Sequence, residues 1–286
     1  MEEENRHYPV TAVNIGTDSA LAMPSWLRTP SGEYLVAWEQ ARLDALLADI
    51  FGYNALQVGL EEVDLLRVSR MPLHACTARA ARGGGRAAGA TSALEAGTTR
   101  SARLTVLCDE AALPFADTSL DLVVLAHGLE FSATPHQLLR EAERVLVAEG
   151  SVVICGFNPY SLWGLCRRIR NRDQWPWFGH YLSAAKVRDW LAVLGFEVQT
   201  TQFGCYAPAV ESPEWLGRWK WLDHVGRRCW PICGAAWILH GIKRVQGARL
   251  IQPNWREKRV HAKSLPAAAR KLGEPGALLG NIRRKT

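Results

Sequence analysis

No apolar run in the 286 residues approaches the roughly 20 needed to cross a bilayer. The opening MEEENRHYPV lacks the basic-then-apolar order of a secretory leader, so a cytoplasmic protein is expected. The seven cysteines (76, 108, 155, 166, 205, 229, 233) are odd in number and contain no CxxC pair. Most lie in apolar segments, where a reduced thiol behaves as a small hydrophobe. Cys229 and Cys233, with His224 and His240, approach a ligand set, but their spacing matches no familiar zinc pattern, and no metal is expected. Acidic residues are also scarce in one place: between Asp64 and Asp109 only Glu95 carries a carboxylate.

Hydrophobic residues make up 48% of the chain, ample for a buried core. The net charge of +6 is unevenly spread. From Lys243 onward twelve Lys/Arg face two Asp/Glu, giving +10, so residues 1–242 carry −4. This tail, 246–286, has few large apolar residues and is expected to stay disordered. Electrostatic contact with nucleic acid or anionic lipid is its candidate role, beside a solvated tail with no partner.

Residues 1–34 show no sustained period and read as an N-terminal extension. Leu43, Leu46, Leu47 and Ile50 recur at helical spacing, closed by Gly52. ALQVGL (55–60) reads as a strand, with a helix predicted over 61–70 and a second strand over 71–78. The Ala-, Gly- and Arg-rich stretch at 79–103 has no apolar period and reads as a flexible insertion. Further strands are predicted at 104–107, 120–126, 151–156, 196–203 and 235–245. Helices are predicted from Pro135, stopped by Gly150, and from Ser183, a good N-cap, to Gly195. Near-continuous apolar strands alternating with amphipathic helices imply an α/β, mostly parallel sheet covered on both faces, with ligands at the strands' carboxyl ends.

The stretch LCDEAALPFADTSLDLVVLAHGLEF (107–131) places an acid after one strand, then Leu-Pro-Phe, then a second strand ending in His-Gly-Leu-Glu. With Leu146, Gly150, the Leu194-Gly195-Phe196 turn and a last strand ending in Lys243, this order resembles class I S-adenosylmethionine-dependent methyltransferases of the type 11 subgroup. The resemblance covers about residues 50–245. TPSGEYLVAWEQARLDALLADIFGYNALQVG and FNPYSLWGL look closer to a bacterial branch of that subgroup. The resemblance implies a Rossmann-like, doubly wound, seven-stranded sheet with an antiparallel last strand over 35–245. S-adenosylmethionine would be the cofactor and methyl transfer to a small-molecule or lipid-like acceptor the reaction.

For the cofactor, Asp109, followed by Glu110, Ala111 and Leu113, could accept from an adenine amine and wall its ring at a strand's carboxyl end; the alternative is a turn-forming Asp. Gln57 and Gly59 stand where the resemblance puts the methionine half. His127 follows the fourth strand and titrates in the range of a general base, or is a structural His at a strand end. Asn158 lies just past the fifth strand, in an Asn-Pro turn that is also routine. Glu130 reads as a carboxylate at a helix start.

This chain departs from the family at the loop after the first strand. There glycines normally let backbone approach the cofactor without a Cβ in the way. Here the run is Leu56-Gln57-Val58-Gly59-Leu60-Glu61-Glu62-Val63: Gln57 replaces the acid, and Glu61 and Val63 replace two glycines. The ribose-binding acid after the second strand is missing, with Arg79 near its place. A degenerate fold that no longer binds the cofactor and serves as a scaffold is therefore the second reading. A nucleic-acid binder using the tail and Arg167–Arg172 is a third. Trp175, Trp177, Trp215, Trp219 and Trp221 fall between the fifth and seventh strands, where the resembling fold builds its substrate cover, with 205–234 as its Trp-rich part. SPEWLGRWKWLDHVGRRCW reads as one amphipathic helix, suited either to a lipid-like acceptor at a membrane surface or to simple packing over the sheet.

Overall fold

The computed structural model describes residues 25–79, 103–108, 112–169, 179–210, 212–219 and 221–245. The strands are β1 (Asn54–Val58), β2 (Leu73–Arg79), β3 (Arg103–Cys108), β4 (Leu120–Ala126), β5 (Leu146–Phe157), β6 (Phe196–Gly204) and β7 (Ala236–Lys243). They form one sheet in the order β3-β2-β1-β4-β5-β7-β6. β1 to β5 pair in parallel, and β7 is antiparallel to both β5 and β6. The helices are α1 (Pro30–Leu47), α2 (Gly128–Phe131), α3 (Pro135–Val145), α4 (Leu162–Ile169), α5 (Ala184–Val193), α6 (Pro213–Trp219) and α7 (Trp221–Cys229).

Alternation along the strands divides the core. Leu56 and Val58 of β1, Val123 and Leu125 of β4, and Val152 and Ile154 of β5 face the layer built by Leu138, Leu139, Ala142 and Val145 of α3 with Val187 and Leu191 of α5. Ala55, Leu122, Val124 and Val153 face the opposite layer, built by Leu43 and Leu47 of α1 and by Leu60, Leu65 and Leu66. α1 buries Ser31, Leu35, Glu39, Leu43 and Leu47, a strict four-residue repeat that makes one stripe. Ser183 caps α5 by accepting from Lys186 N–H, as its position in the sequence suggests.

The differences from expectation are instructive. α1 begins at Pro30, inside the supposed extension, with Thr29 as its N-cap, and Leu27 is buried in the core. The segment 61–70 is not helical. Leu65 and Leu66, both 1% exposed, reach the core from turns and bends instead. The cover is helical over α6 and α7, on either side of Lys220, which lies outside the described residues. α3 ends at Val145 and Leu146 already opens β5, so Gly150 lies within a strand. Residues 1–24, 80–102 and 246–286 lie outside the described residues, and with them most of the insertion and the whole tail.

Candidate functional site at the carboxyl rim of β1, β4 and β5

β1 ends in a tight turn. Gly59 has φ +83°, and an added Cβ would lie 2.3 Å from the Ala126 carbonyl oxygen, so only glycine lets β1 and β4 approach so closely at their ends. Leu60 follows at φ +46° and is buried. The side chain that sets this turn is Gln57. Its amide nitrogen donates to the carbonyls of Gly59 (3.1 Å), Leu60 (2.9 Å) and Val63 (2.8 Å), and its Oε1 accepts from Leu65 N–H (3.1 Å). The amide is thus committed to backbone, and it takes the Val63 carbonyl and the Leu65 N–H of the non-helical 61–70 segment, groups that a helix would pair within itself. Glu61 and Glu62 are exposed.

β4 ends at His127, which adopts left-handed φ +55° and turns the chain into α2. Its Nδ1 lies 2.8 Å from Glu130 Oε2 and its Nε2 2.8 Å from Glu39 Oε1, with all three side chains essentially without solvent contact. Glu130 Oε1 accepts from the Phe157 N–H, tying α2 to the end of β5. Glu39 Oε2 has no hydrogen-bond partner. The imidazole ring packs on Phe157 (centroids 4.3 Å), which in turn stacks on Tyr181 (5.0 Å).

Two carboxylates around one imidazole, both of its nitrogens in use, define an imidazolium. Burial alone would lower the His127 pKa, but the charges of Glu39 and Glu130 outweigh it and raise it to about 10. Burial also raises the Glu130 pKa, the imidazolium and the Phe157 N–H pulling it back only in part. Fully ionised, the trio would hold one negative charge too many for a dry site, so it holds on to protons. Both His127 nitrogens are thus engaged by buried carboxylates, an arrangement that suits a structural histidine at the strand end, the alternative to a general base. The sequence carried a signal for Glu39, the single acid on the buried four-residue stripe of α1.

Asn158 is 2% exposed and is likewise spent on the fold. Its amide donates to the carbonyls of Ile232 (2.7 Å) and Gly234 (2.9 Å), and its Oδ1 accepts from Tyr160 N–H (3.1 Å). It straps the β5 end to the loop before β7. Leu113 is core, its N–H held by Glu141 and its carbonyl by Arg144. Asp109, Glu110 and Ala111 lie outside the described residues, as does the Arg79 side chain. Structure thus brings His127, Glu130 and Glu39 together, and keeps Gln57 and Asn158 as separate backbone clamps.

Among the described residues no three His, Cys, Asp or Glu side chains form a group suited to a metal ion, and no helix is long and apolar enough to cross a membrane. All seven cysteines are free thiols.

The sheet order with its reversed seventh strand is the Rossmann-like fold of class I S-adenosylmethionine-dependent methyltransferases. Two solved structures share it. One is a Haloferax volcanii protein solved with the Trm112 methyltransferase activator (15% identity, 80% of this chain and 99% of that one, TM-score 0.53). The other is an S-adenosylmethionine-dependent methyltransferase of Thermotoga maritima (14% identity, 77% and 94%, TM-score 0.54). Residues 86–154, which contain the strand–Leu-Pro-Phe–strand unit, match the family described as Methyltransferase domain. The uncharacterized protein YafS of Escherichia coli is 45% identical over 94 residues, a match spanning 32% of this chain and 39% of that relative's length.

The family's cofactor fits the described residues only in part. The β1 turn offers no glycine-lined backbone for the methionine half, since Gln57 closes it and Leu60 fills it. Glu61 and Glu62, after that turn, are exposed acids.

Proposed function

We infer that the chain carries out S-adenosylmethionine-dependent methyl transfer, in a reducing cytoplasm, to a small-molecule or lipid-like acceptor. The observation that supports this most is the position of the family-matched unit. It contains β3 and β4, whose carboxyl ends lie on the rim of a sheet ordered β3-β2-β1-β4-β5-β7-β6, where this fold receives its nucleoside. The sulfonium, when bound, supplies an activated methyl, so the protein's task is chiefly orientation. Asp109 is the proposed partner of the adenine amine, with Glu110, Ala111 and Leu113 beside it. The His127 trio would hold the β4 corner, and Gln57 with Gly59 the β1 corner, as rigid walls rather than as proton carriers. Seven free thiols suit a reducing compartment.

The closed β1 turn favours a second reading, a methyltransferase fold kept as a scaffold without cofactor. Calorimetric titration of the full chain with S-adenosylmethionine and with its demethylated product separates the two. The enzyme reading expects saturable heat that is markedly weakened in Asp109→Ala. Absence of heat and of any thermal shift at millimolar ligand would leave the scaffold alone, and unchanged affinity in Asp109→Ala would move the adenine elsewhere.

A further inference from the structure

Between α4 and α7, away from the β1 turn, lies an open cavity of about 500 Å³, within the range of ligand-sized clefts. Pro159, Tyr160, Leu162 and Leu165 form one wall, and Leu222 and Trp230 belong to the other. Its rim is apolar and uncovered: Tyr160 is 73% exposed, Leu165 54% and Trp230 61%. On the cover helices and the loop after them Trp215, Trp221 and Ile232 are also more than half exposed.

The cations on this face decide between occupants. Arg218, Arg227 and Arg228 are exposed on α6 and α7, whereas Glu214 is the one exposed acid among the described residues 212–232. Arg218 lies over the Trp215 ring at 5.2 Å, an amphipathic pair suited to the boundary between headgroups and acyl chains. On α7, Trp221, Val225 and Arg228 recur at helical spacing on the outward side, while the inward side is Gly226 packed against Tyr206. Tryptophan, aliphatic and arginine side chains interleaved on short surface helices match a bilayer interface carrying negative charge.

We propose that the α6–α7 cover is a docking surface for an anionic phospholipid bilayer, and that the adjoining apolar cleft opens toward the acyl layer. Tryptophans 215, 221 and 230 enter the interface, and arginines 218, 227 and 228 meet lipid phosphates. This docking does not depend on methyl transfer. If the proposed reaction also holds, the acceptor reaches the protein from the membrane.

The test is sedimentation of the full chain with vesicles of phosphatidylcholine alone or with about a third phosphatidylglycerol, without nucleoside, so that its result is independent of the cofactor titration. The wild type is expected to bind the anionic vesicles, to lose binding as salt rises, and to show a blue-shifted tryptophan emission. Each cation at such a surface contributes roughly fivefold, so R218Q/R227Q/R228Q should lose about a hundredfold in partitioning. W215A/W221A/W230A should lose binding by at least about tenfold, from the apolar area removed. These side chains are exposed, so thermal melting should stay unchanged and certify the fold. Failure of the wild type to bind overturns the proposal. So does wild-type binding by either variant, which would put the contact on the cations after Lys243 or on charge alone.

Discussion

Removing the imidazole from between Glu39 and Glu130 should cost far more than removing one carboxylate charge. In His127→Ala, two carboxyl groups in a dry site face each other with no cation, and the Glu130 group that holds Phe157 N–H loses its counter-charge. Breaking a buried pair in this way typically costs about 3–5 kcal/mol. An imidazolium raised from 6.5 to about 10 prefers its charged form by roughly 4–5 kcal/mol, the same order. In Glu39→Gln the amide oxygen can still accept from Nε2, the unpartnered Oε2 is replaced by a donor, and the buried charge falls to zero, so the change should stay within about 1.5 kcal/mol. Urea denaturation of the three proteins at neutral pH reads both values. The pH profile adds a second check. His127 is raised in the folded state, so its contribution is whole below the unfolded value near 6.5 and is lost as pH rises through about 10. Glu130 is raised too and works in the same direction from lower pH. Wild-type stability should therefore decline from pH 6.5 towards 10 while His127→Ala declines less. Equal losses in the two variants, or a His127→Ala loss under about 1 kcal/mol, would refute the buried imidazolium.

Gln57→Leu keeps the volume but removes the side-chain partner of the Gly59 and Val63 carbonyls and of the Leu65 N–H, leaving Leu60's carbonyl to the Val63 N–H alone, and should lower stability by about 2–4 kcal/mol in thermal melts. A shift within experimental scatter would mean that the turn closes without it. Asn158→Ala should cost about 1–3 kcal/mol and speed amide exchange over residues 232–235, where its two donor bonds end. Exchange unchanged there would show that the strap is redundant.

Strands were legible because period and length suffice to specify them. β4 runs over the residues its apolar run predicts, and the last strand, β7, ends at the Lys243 that the sequence resemblance singled out. The Ser183 cap and the α3 stripe were readable for the same reason: each is decided by neighbours within one turn. Segment 61–70 misled because its apolar residues fit a helical count while a side chain six to eight positions upstream claimed its backbone. The sequence leaves His127 between two roles, general base and structural histidine at a strand end. A histidine after the fourth strand is legible, but the carboxylate that takes its second nitrogen comes from 88 residues earlier, on a helix packed across the sheet.

What the sequence by itself determined is the α/β alternation, the family-matched unit at 103–126 and the loss of the glycine-rich turn, all of them local in the chain. Tertiary structure alone decided that Glu39 and Glu130 converge on His127, that Gln57 and Asn158 hydrogen-bond backbone, and that the cover leaves Trp215, Trp221 and Trp230 more than half exposed. The physical reason is common to all three. Whether a polar side chain is spent or free depends on which donors, acceptors and solvent reach it, and packing of distant segments sets that.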